Sequence, residues 1–238
     1  MRRRSPATPG PPAPAPPRTP ANGSASPRPL RILLIDDHAI VRDGLRQILV
    51  THFHDAHVAE ARNAKEAVER LLLQPADVAL LDISMPGQSG IEVLKQIKEL
   101  VPRLKVLVLT MHPEDQYAVR VLKAGADGYL TKDTASAVLV EAVKRVLAGG
   151  KYISPTLAQD LATNLHTPRE KAPHELLSDR EYQVLRMLGA GKSVKEIGFD
   201  LALSIKTVST YRTRVLTKLK LKSNAEVMRY ALREKLVD

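Results

Sequence analysis

The chain reads as an α/β protein: a doubly wound, five-stranded parallel sheet, followed by a second, smaller all-α domain of four helices with a helix-turn-helix. Three observations predict this. From Leu30 to about Gly150, short apolar runs alternate five times with amphipathic stretches, as strand–helix repeats require. Beyond residue 176 the apolar spacing is helical throughout, and serines suited to helix N-caps recur. Between the two, Pro155, Pro168 and Pro173 punctuate a linker over 151–175, with room for one short helix near 156–163.

In chain order, residues 1–29 hold ten of the 17 prolines, five Arg and no acid. Such a segment has almost nothing to bury, so a disordered, partly polyproline-like tail is expected. No apolar core follows Arg2-Arg3-Arg4, which disfavours a secretory signal, and the prolines forbid the amphipathic helix of a transit peptide. The first domain is expected over 30–150. Its strands are expected at 31–35, 57–60, 77–81, 105–109 and 128–131. Helical patterns lie between them near 39–50, 64–73, 88–100, 114–123 and 135–148. Ile40, Leu45, Ile48 and Leu49 are expected on the buried face of the first. Gly149-Gly150 stops the last. The second domain is expected over 176–238. There Ser178-x-x-Glu181, Ser193-x-x-Glu196 and Ser223-x-x-Glu226 match capping boxes, and helices are expected near 179–188, 194–201, 205–219 and 224–234.

Composition narrows the function. The 238 residues suffice for two modest domains. The absence of Cys excludes zinc fingers and thiol redox centres. No apolar stretch approaches the roughly 20 residues that span a membrane. With no Trp and two Phe, stacking platforms for single strands are poorly supplied. The net charge of +10 is uneven. Residues 31–150 are nearly neutral, whereas 176–238 carry 13 basic and seven acidic side chains. A neutral body joined to a small basic unit suggests regulation in one part and a polyanion partner for the other.

Polar groups follow four of the apolar runs. Asp36-Asp37 closes the first, Asp82 the third and Thr110 the fourth, and Lys132 follows the fifth. In a parallel sheet all of these reach one carboxyl edge, where open α/β folds place their ligand sites. Three acids, a hydroxyl and a lysine there suit a divalent cation and a phosphoryl group. Asp82, on the central strand, is the nucleophile this chemistry needs. Asp36, Asp37, Asp82 and the backbone carbonyl of Ser84 are the expected Mg²⁺ ligands. Lys132 and Thr110 would hold the remaining phosphoryl oxygens. His38 is expected to cap or pack at the start of the first helix, and His52, His54 and His57 to be solvated loop residues.

These residues carry a resemblance. Asp36-Asp37-His38, Leu81-Asp82-Ile83-Ser84-Met85-Pro86-Gly87-Gln88-Ser89-Gly90, Leu109-Thr110-Met111-His112 and Ala124-Gly125-Ala126-Asp127-Gly128-Tyr129-Leu130-Thr131-Lys132 run in the order found in the receiver domain of two-component response regulators. Residues 31–150 resemble that domain. The resemblance implies that Asp82 accepts phosphoryl from a sensor histidine kinase with Mg²⁺, that Thr110 and Lys132 sense the phosphate, and that Tyr129 changes rotamer on activation. A phosphatase or hydrolase using Asp82 would need a second acid nearby, and Ile83-Ser84 offers none.

On a helical wheel of 205–219, Val208, Val215 and Leu219, flanked by Tyr211 and Leu216, form the buried stripe. The opposite face carries Lys206, Thr210, Thr213, Arg214 and Thr217, with Ser209 at its edge. Short hydroxyls between cations suit a major groove. Leu177-Ser178-Asp179-Arg180-Glu181, Gly191-Lys192-Ser193, Lys195-Glu196-Ile197 and Lys206-Thr207-Val208 resemble the LuxR-type output domain, and with the receiver they resemble the NarL/FixJ class. That resemblance implies double-stranded DNA as ligand and a homodimer on it. By position it makes Ser209, Thr210 and Thr213 base readers, and Lys206, Thr207, Arg212, Arg214 and Lys218 phosphate contacts. Tyr182, Gly198 and Tyr211 depart from the usual residues of the class. Gly189-Ala190-Gly191-Lys192-Ser193 imitates the end of a P-loop, but Arg186 stands where the first glycine belongs and no strand precedes it. The expected whole is a cytoplasmic regulator of transcription that is not itself an enzyme.

Overall fold

The computed structural model describes residues 28–111, 114–166 and 172–237. Strands β1 (Arg31–Ile35), β2 (His57–Ala61), β3 (Val78–Asp82), β4 (Lys105–Thr110) and β5 (Gly128–Thr131) form one sheet in the order β2-β1-β3-β4-β5. Every pairing is parallel. The tail expected over 1–29 lies, up to residue 27, outside the described residues.

Helices α1 (Ala39–His52), α2 (Ala64–Leu73), α3 (Gly90–Leu100), α4 (Glu114–Lys123) and α5 (Lys132–Leu147) cover the sheet. Its two faces bury separate sets of side chains. Ile32, Leu34, Leu80 and Leu107 meet Leu45 and Leu49 of α1 and Leu139 and Val143 of α5. Leu33, Ile35, Leu81 and Val108 meet Leu71, Leu94, Ile97 and Val121. This two-sided burial explains why β1, β3 and β4 read as nearly unbroken apolar runs, while the edge strand β2 does not.

Two expectations need correction here. Ile40 is not on the buried face of α1 but 87% exposed. Nine residues separate it from buried Leu49, and at about 100° per residue they stand on opposite sides of the helix. Helix α5 starts at Lys132 instead of 135, because Lys132-Asp133-Thr134 carries no apolar signal yet continues directly from β5. At the start of α3, Gly90 leaves no room for a side chain: a Cβ there would lie 2.2 Å from the Ile83 Cα.

After α5 the chain returns to the sheet. Tyr152 forms a bridge beside Gly128, donating to the Asp127 carbonyl at 3.0 Å and accepting from the Tyr129 N–H at 2.9 Å. Helix α6 (Pro155–His166) and a 3₁₀ turn (Pro173–Leu176) lead to α7 (Asp179–Gly189), α8 (Val194–Asp200), α9 (Ile205–Leu219) and α10 (Asn224–Arg233).

Ser178 and Ser193 each complete a capping box. Ser223 caps the Glu226 N–H, but the Glu226 carboxylate turns to the Lys222 N–H, at 2.8 Å, so the expected third box is half formed. Ser204, unnoticed in the sequence, caps α9 through the Thr207 N–H. The α8–α9 turn is tight. The Leu203 N–H donates to the Gly198 carbonyl at 2.8 Å, and a Cβ at Gly198 would lie 2.9 Å from the Leu203 oxygen. Glycine at that departure from the class is therefore a packing requirement of this turn.

The apolar contacts do not stop between the two units. Tyr117, Ala118 and Val121 of α4 belong to the same buried cluster as Leu157, Leu177, Tyr182 and Leu185.

Candidate functional site

At the carboxyl edge of the sheet, β1 delivers Asp36 and Asp37, β3 ends on Asp82, β4 ends on Thr110, and Lys132 opens α5 just beyond β5. Asp82 is 1% exposed, Asp36 3% and Thr110 fully buried. Lys132 Nζ stands 2.7 Å from Asp82 Oδ2 and 2.7 Å from Asp36 Oδ2, joining the two acids. The Ser84 N–H donates to Asp82 Oδ1 at 2.7 Å, and Ser84 Oγ lies 3.1 Å from Thr110 Oγ1. Asp36, Asp37, Asp82, Lys132, Ser84 and Thr110 thus share one pocket. Tyr129 is buried within β5, one strand over from Val108.

The electrostatics follow from burial. Desolvation is the largest influence on Asp82 and raises its carboxyl above the ordinary range, against the opposing pull of Lys132 and the Ser84 N–H. Burial works to lower Lys132, but its hydrogen bonds to Asp36 and Asp82 outweigh that and raise it. Three carboxylates face a single ammonium, leaving a deficit of positive charge that a divalent cation would fill. The donors fit one. Carboxylate oxygens of Asp36, Asp37 and Asp82 and a ring nitrogen of His38 all lie within 4.8 Å of one another. Asp37 Oδ1 is shielded from solvent and makes no hydrogen bond, although His38 Nδ1 stands 3.1 Å away. Hard oxygen donors in this number suit Mg²⁺ with water completing the shell.

His38 does neither thing expected of it. It occupies the N-cap position of α1, but its side chain caps nothing, and its ring is 63% exposed. Its backbone N–H donates to Asp36 Oδ1 at 2.8 Å, which fixes that carboxylate. Arg42 was also missed. It is buried, donating to the Asp36 carbonyl at 2.8 Å and to Glu60 at 3.0 Å. Its charge on an otherwise apolar helix face was the available signal.

On α9, Lys206, Ser209, Thr210, Thr213 and Arg214 are exposed on one side, while Val208, Val215 and Leu219 are buried on the other. The helix contains no acid. Three of the expected contacts are occupied internally. Arg212 donates to Asn224 at 2.6 Å, Lys218 pairs with Glu181 at 2.6 Å, and the Thr207 hydroxyl lies 2.8 Å from Ser204 Oγ in the cap.

A third group of residues links the pocket's surroundings to the helical unit. Arg120 of α4 donates to the carbonyls of Leu177 at 3.0 Å and His174 at 2.5 Å, and it lies 3.5 Å from Asp179. Its guanidinium covers the Tyr182 ring. Tyr117 meets the Tyr182 ring edge-on at 5.5 Å, and Arg186 covers Tyr117 in turn. Lys95 of α3 pairs with Asp179 at 2.7 Å, and the Gly87 N–H, five residues past Asp82, donates to the Leu201 carbonyl at 3.2 Å. The atypical Tyr182 was the one sequence signal for this seam.

Comparison with known proteins agrees on both units. Residues 32–144 match the response regulator receiver domain, and residues 175–231 match the bacterial regulatory proteins of the luxR family. The response regulator GacA of Pseudomonas viridiflava is 38% identical over 210 residues, which is 88% of this chain and 98% of that protein. Among solved structures, the Salmonella typhimurium response regulator RcsB superposes with a TM-score of 0.63 at 27% identity, over 88% of this chain and 98% of RcsB. RcsB of Salmonella enterica serovar Typhimurium bound to the promoter rprA with the phosphomimetic BeF₃⁻ gives 0.58 at 28% identity, over 84% and 98%.

Proposed function

Because the chain belongs to the NarL/FixJ class of two-component response regulators, in which a receiver domain is joined to a LuxR-type DNA-binding domain, we propose that Asp82 is its phosphoryl acceptor and that the adduct controls DNA binding through α4. The observation that carries this is the position of Lys132 Nζ, 2.7 Å from both Asp82 and Asp36.

The donor is the phosphohistidine of a sensor histidine kinase. A carboxylate oxygen of Asp82 attacks phosphorus, the N–P bond breaks, and the imidazole nitrogen keeps the electron pair and takes a proton from water. Lys132 and the Ser84 N–H already hold Asp82 by both oxygens, so its orientation is set before the donor arrives. Asp36, Asp37, Asp82 and the Ser84 carbonyl are the residues that would hold Mg²⁺, which supplies positive charge for the phosphoryl oxygens. After transfer, Lys132 turns from Asp82 to a phosphoryl oxygen, and the Thr110 hydroxyl leaves Ser84 for another. Thr110 ends the strand that precedes α4, so its movement bears on Arg120 and Tyr117 and, with Tyr129, shifts the equilibrium of the seam.

Freed output domains then pair on DNA, with α9 of each in a major-groove half-site. We take the chain as an acceptor and not a turnover enzyme: two residues past Asp82 stands Ser84, which is no general base. The work belongs in the cytoplasm, where kinase and promoter are both reached, and no described helix is long and apolar enough to cross a membrane.

The test is intact mass after incubation with Mg²⁺ and a small acyl phosphate. A single phosphoryl adduct on the wild type, absent from Asp82→Asn, supports the assignment. An adduct on both proteins, or on neither, refutes it.

A further inference from the structure

The exposed face of α9 is rich in threonine, and its hydroxyls are turned inward. Thr210 Oγ1 donates to the Lys206 carbonyl, Thr213 Oγ1 to the Ser209 carbonyl and Thr217 Oγ1 to the Thr213 carbonyl, each at 3.0 Å. A threonine in a helix divides between two rotamers, and this one commits its only proton to the backbone four residues back. On these exposed residues the methyl group of the same Cβ is then the part of the side chain left without a polar partner. Ser209 differs, because no partner among the described residues engages its hydroxyl. With Arg212 and Lys218 tied to Asn224 and Glu181, the face offers two cations, one free hydroxyl and a line of methyl groups.

We infer that this helix reads thymine by its 5-methyl group, with Thr210 and Thr213 as the methyl-reading residues. The inference rests on the DNA-binding reading of α9 and deepens it. Major-groove thymine presents one acceptor and one methyl, and apolar contact with that methyl separates T from C and U. A back-bonded threonine lacks the donor that a purine N7 or a thymine O4 would need, so hydrogen-bond donation to those base edges falls to Ser209, Lys206 and Arg214. Thr210 and Thr213 lie in the first half and middle of α9, the part that approaches base edges in helix-turn-helix docking, whereas Thr217 lies toward the far end. The expected half-site therefore holds thymines at two fixed positions, beside a position read by Ser209.

The experiment uses the full-length chain, phosphorylated with Mg²⁺ and a small acyl phosphate. Binding sites are selected from a random-sequence duplex pool. Each thymine of a selected duplex is then replaced singly by deoxyuridine, and affinity is read by fluorescence anisotropy. At two positions per half-site uracil is expected to weaken binding roughly fourfold, the loss of one buried methyl. Thr210→Ser and Thr213→Ser, which keep the hydroxyl and remove the methyl, should each erase the penalty at one of these positions. Thr210→Val and Thr213→Val, which keep the methyl, should preserve it. Indifference to uracil at every position, or valine variants that bind worse than serine variants, would overturn methyl readout while leaving DNA binding intact. A chain that retains no duplex from the pool would sink the DNA-binding reading and this inference together.

Discussion

The guanidinium of Arg120, on the receiver helix α4, lies 4.0 Å from the centre of the Tyr182 ring on α7 of the output domain. The stacked pair, with two carbonyls accepting from the same guanidinium, ties Arg120 to both the 3₁₀ turn and α7. Arg120→Ala is expected to weaken docking of the two units by about 2 kcal/mol. Small-angle scattering on the unphosphorylated chain would show this as a larger radius of gyration. An unchanged radius would mean that the apolar contacts of Tyr117 and Val121 suffice without it.

The excess of carboxylate over ammonium in the pocket makes a separate claim about metal. Titrating Mg²⁺ into the metal-free protein is expected to raise its melting temperature, with stabilisation of about 1.4 kcal/mol at ten times the dissociation constant. Asp37→Asn should abolish the rise without affecting the fold, since Asp37 is only half-buried. A rise that survives in Asp37→Asn would place the ion elsewhere.

Acid stability should turn on Asp127, far from the pocket. Burial works to raise its carboxyl, but the Lys98 ammonium at 2.7 Å, the Val106 N–H at 3.0 Å and Lys151 outweigh burial and lower it. A folded pKa below the unfolded value of about 3.9 adds stability that is present above pH 4 and lost as pH falls through the folded value. Asp127→Asn is expected to cost about 1–3 kcal/mol at pH 7 and less at pH 3, where the contribution has begun to be lost. Denaturant melts at the two pH values check it, and equal losses at both would refute the charge argument.

Backbone strain in the helix-turn-helix offers a change of the opposite sign. Ala202 has a φ of +52°, a left-handed conformation that an alanine side chain resists. Ala202→Gly is expected to stabilise the output domain by about 1 kcal/mol, measured as an upward shift in thermal midpoint. A downward shift would mean that the flexibility of glycine in the unfolded chain dominates.

Much of the fold was legible because the strands are buried on both faces. Runs such as Val78–Leu81 have no polar alternative, and the acids after them mark where each strand ends. The limits were equally physical. Ile40 was misplaced because it was grouped with Leu45 and Leu49 by apolarity, although nine residues of helix turn it to the opposite side from Leu49. Glu226 turned away from its box because Lys222 N–H competes for the same carboxylate. The seam around Arg120 was illegible because its pairs join residues more than 50 positions apart, and only the atypical Tyr182 hinted at it. Nor did residue types on α9 disclose that Arg212 and Lys218 are held by neighbours within the domain.

The bridge between Tyr152 and Gly128 also shortens the covalent connection between the two units. With the chain stitched to the edge of β5, only the stretch from Tyr152 to Pro173 separates the receiver from the output domain. A short covalent connection keeps the two units at a local concentration that does not depend on the amount of protein in the cell. Closing on itself is thus indifferent to abundance, whereas pairing with a second copy is not. Under the proposed pairing of phosphorylated chains, the strength of the response would be set jointly by the signal and by gene dosage, a scarce regulator staying folded on itself at a phosphorylation level that would pair an abundant one.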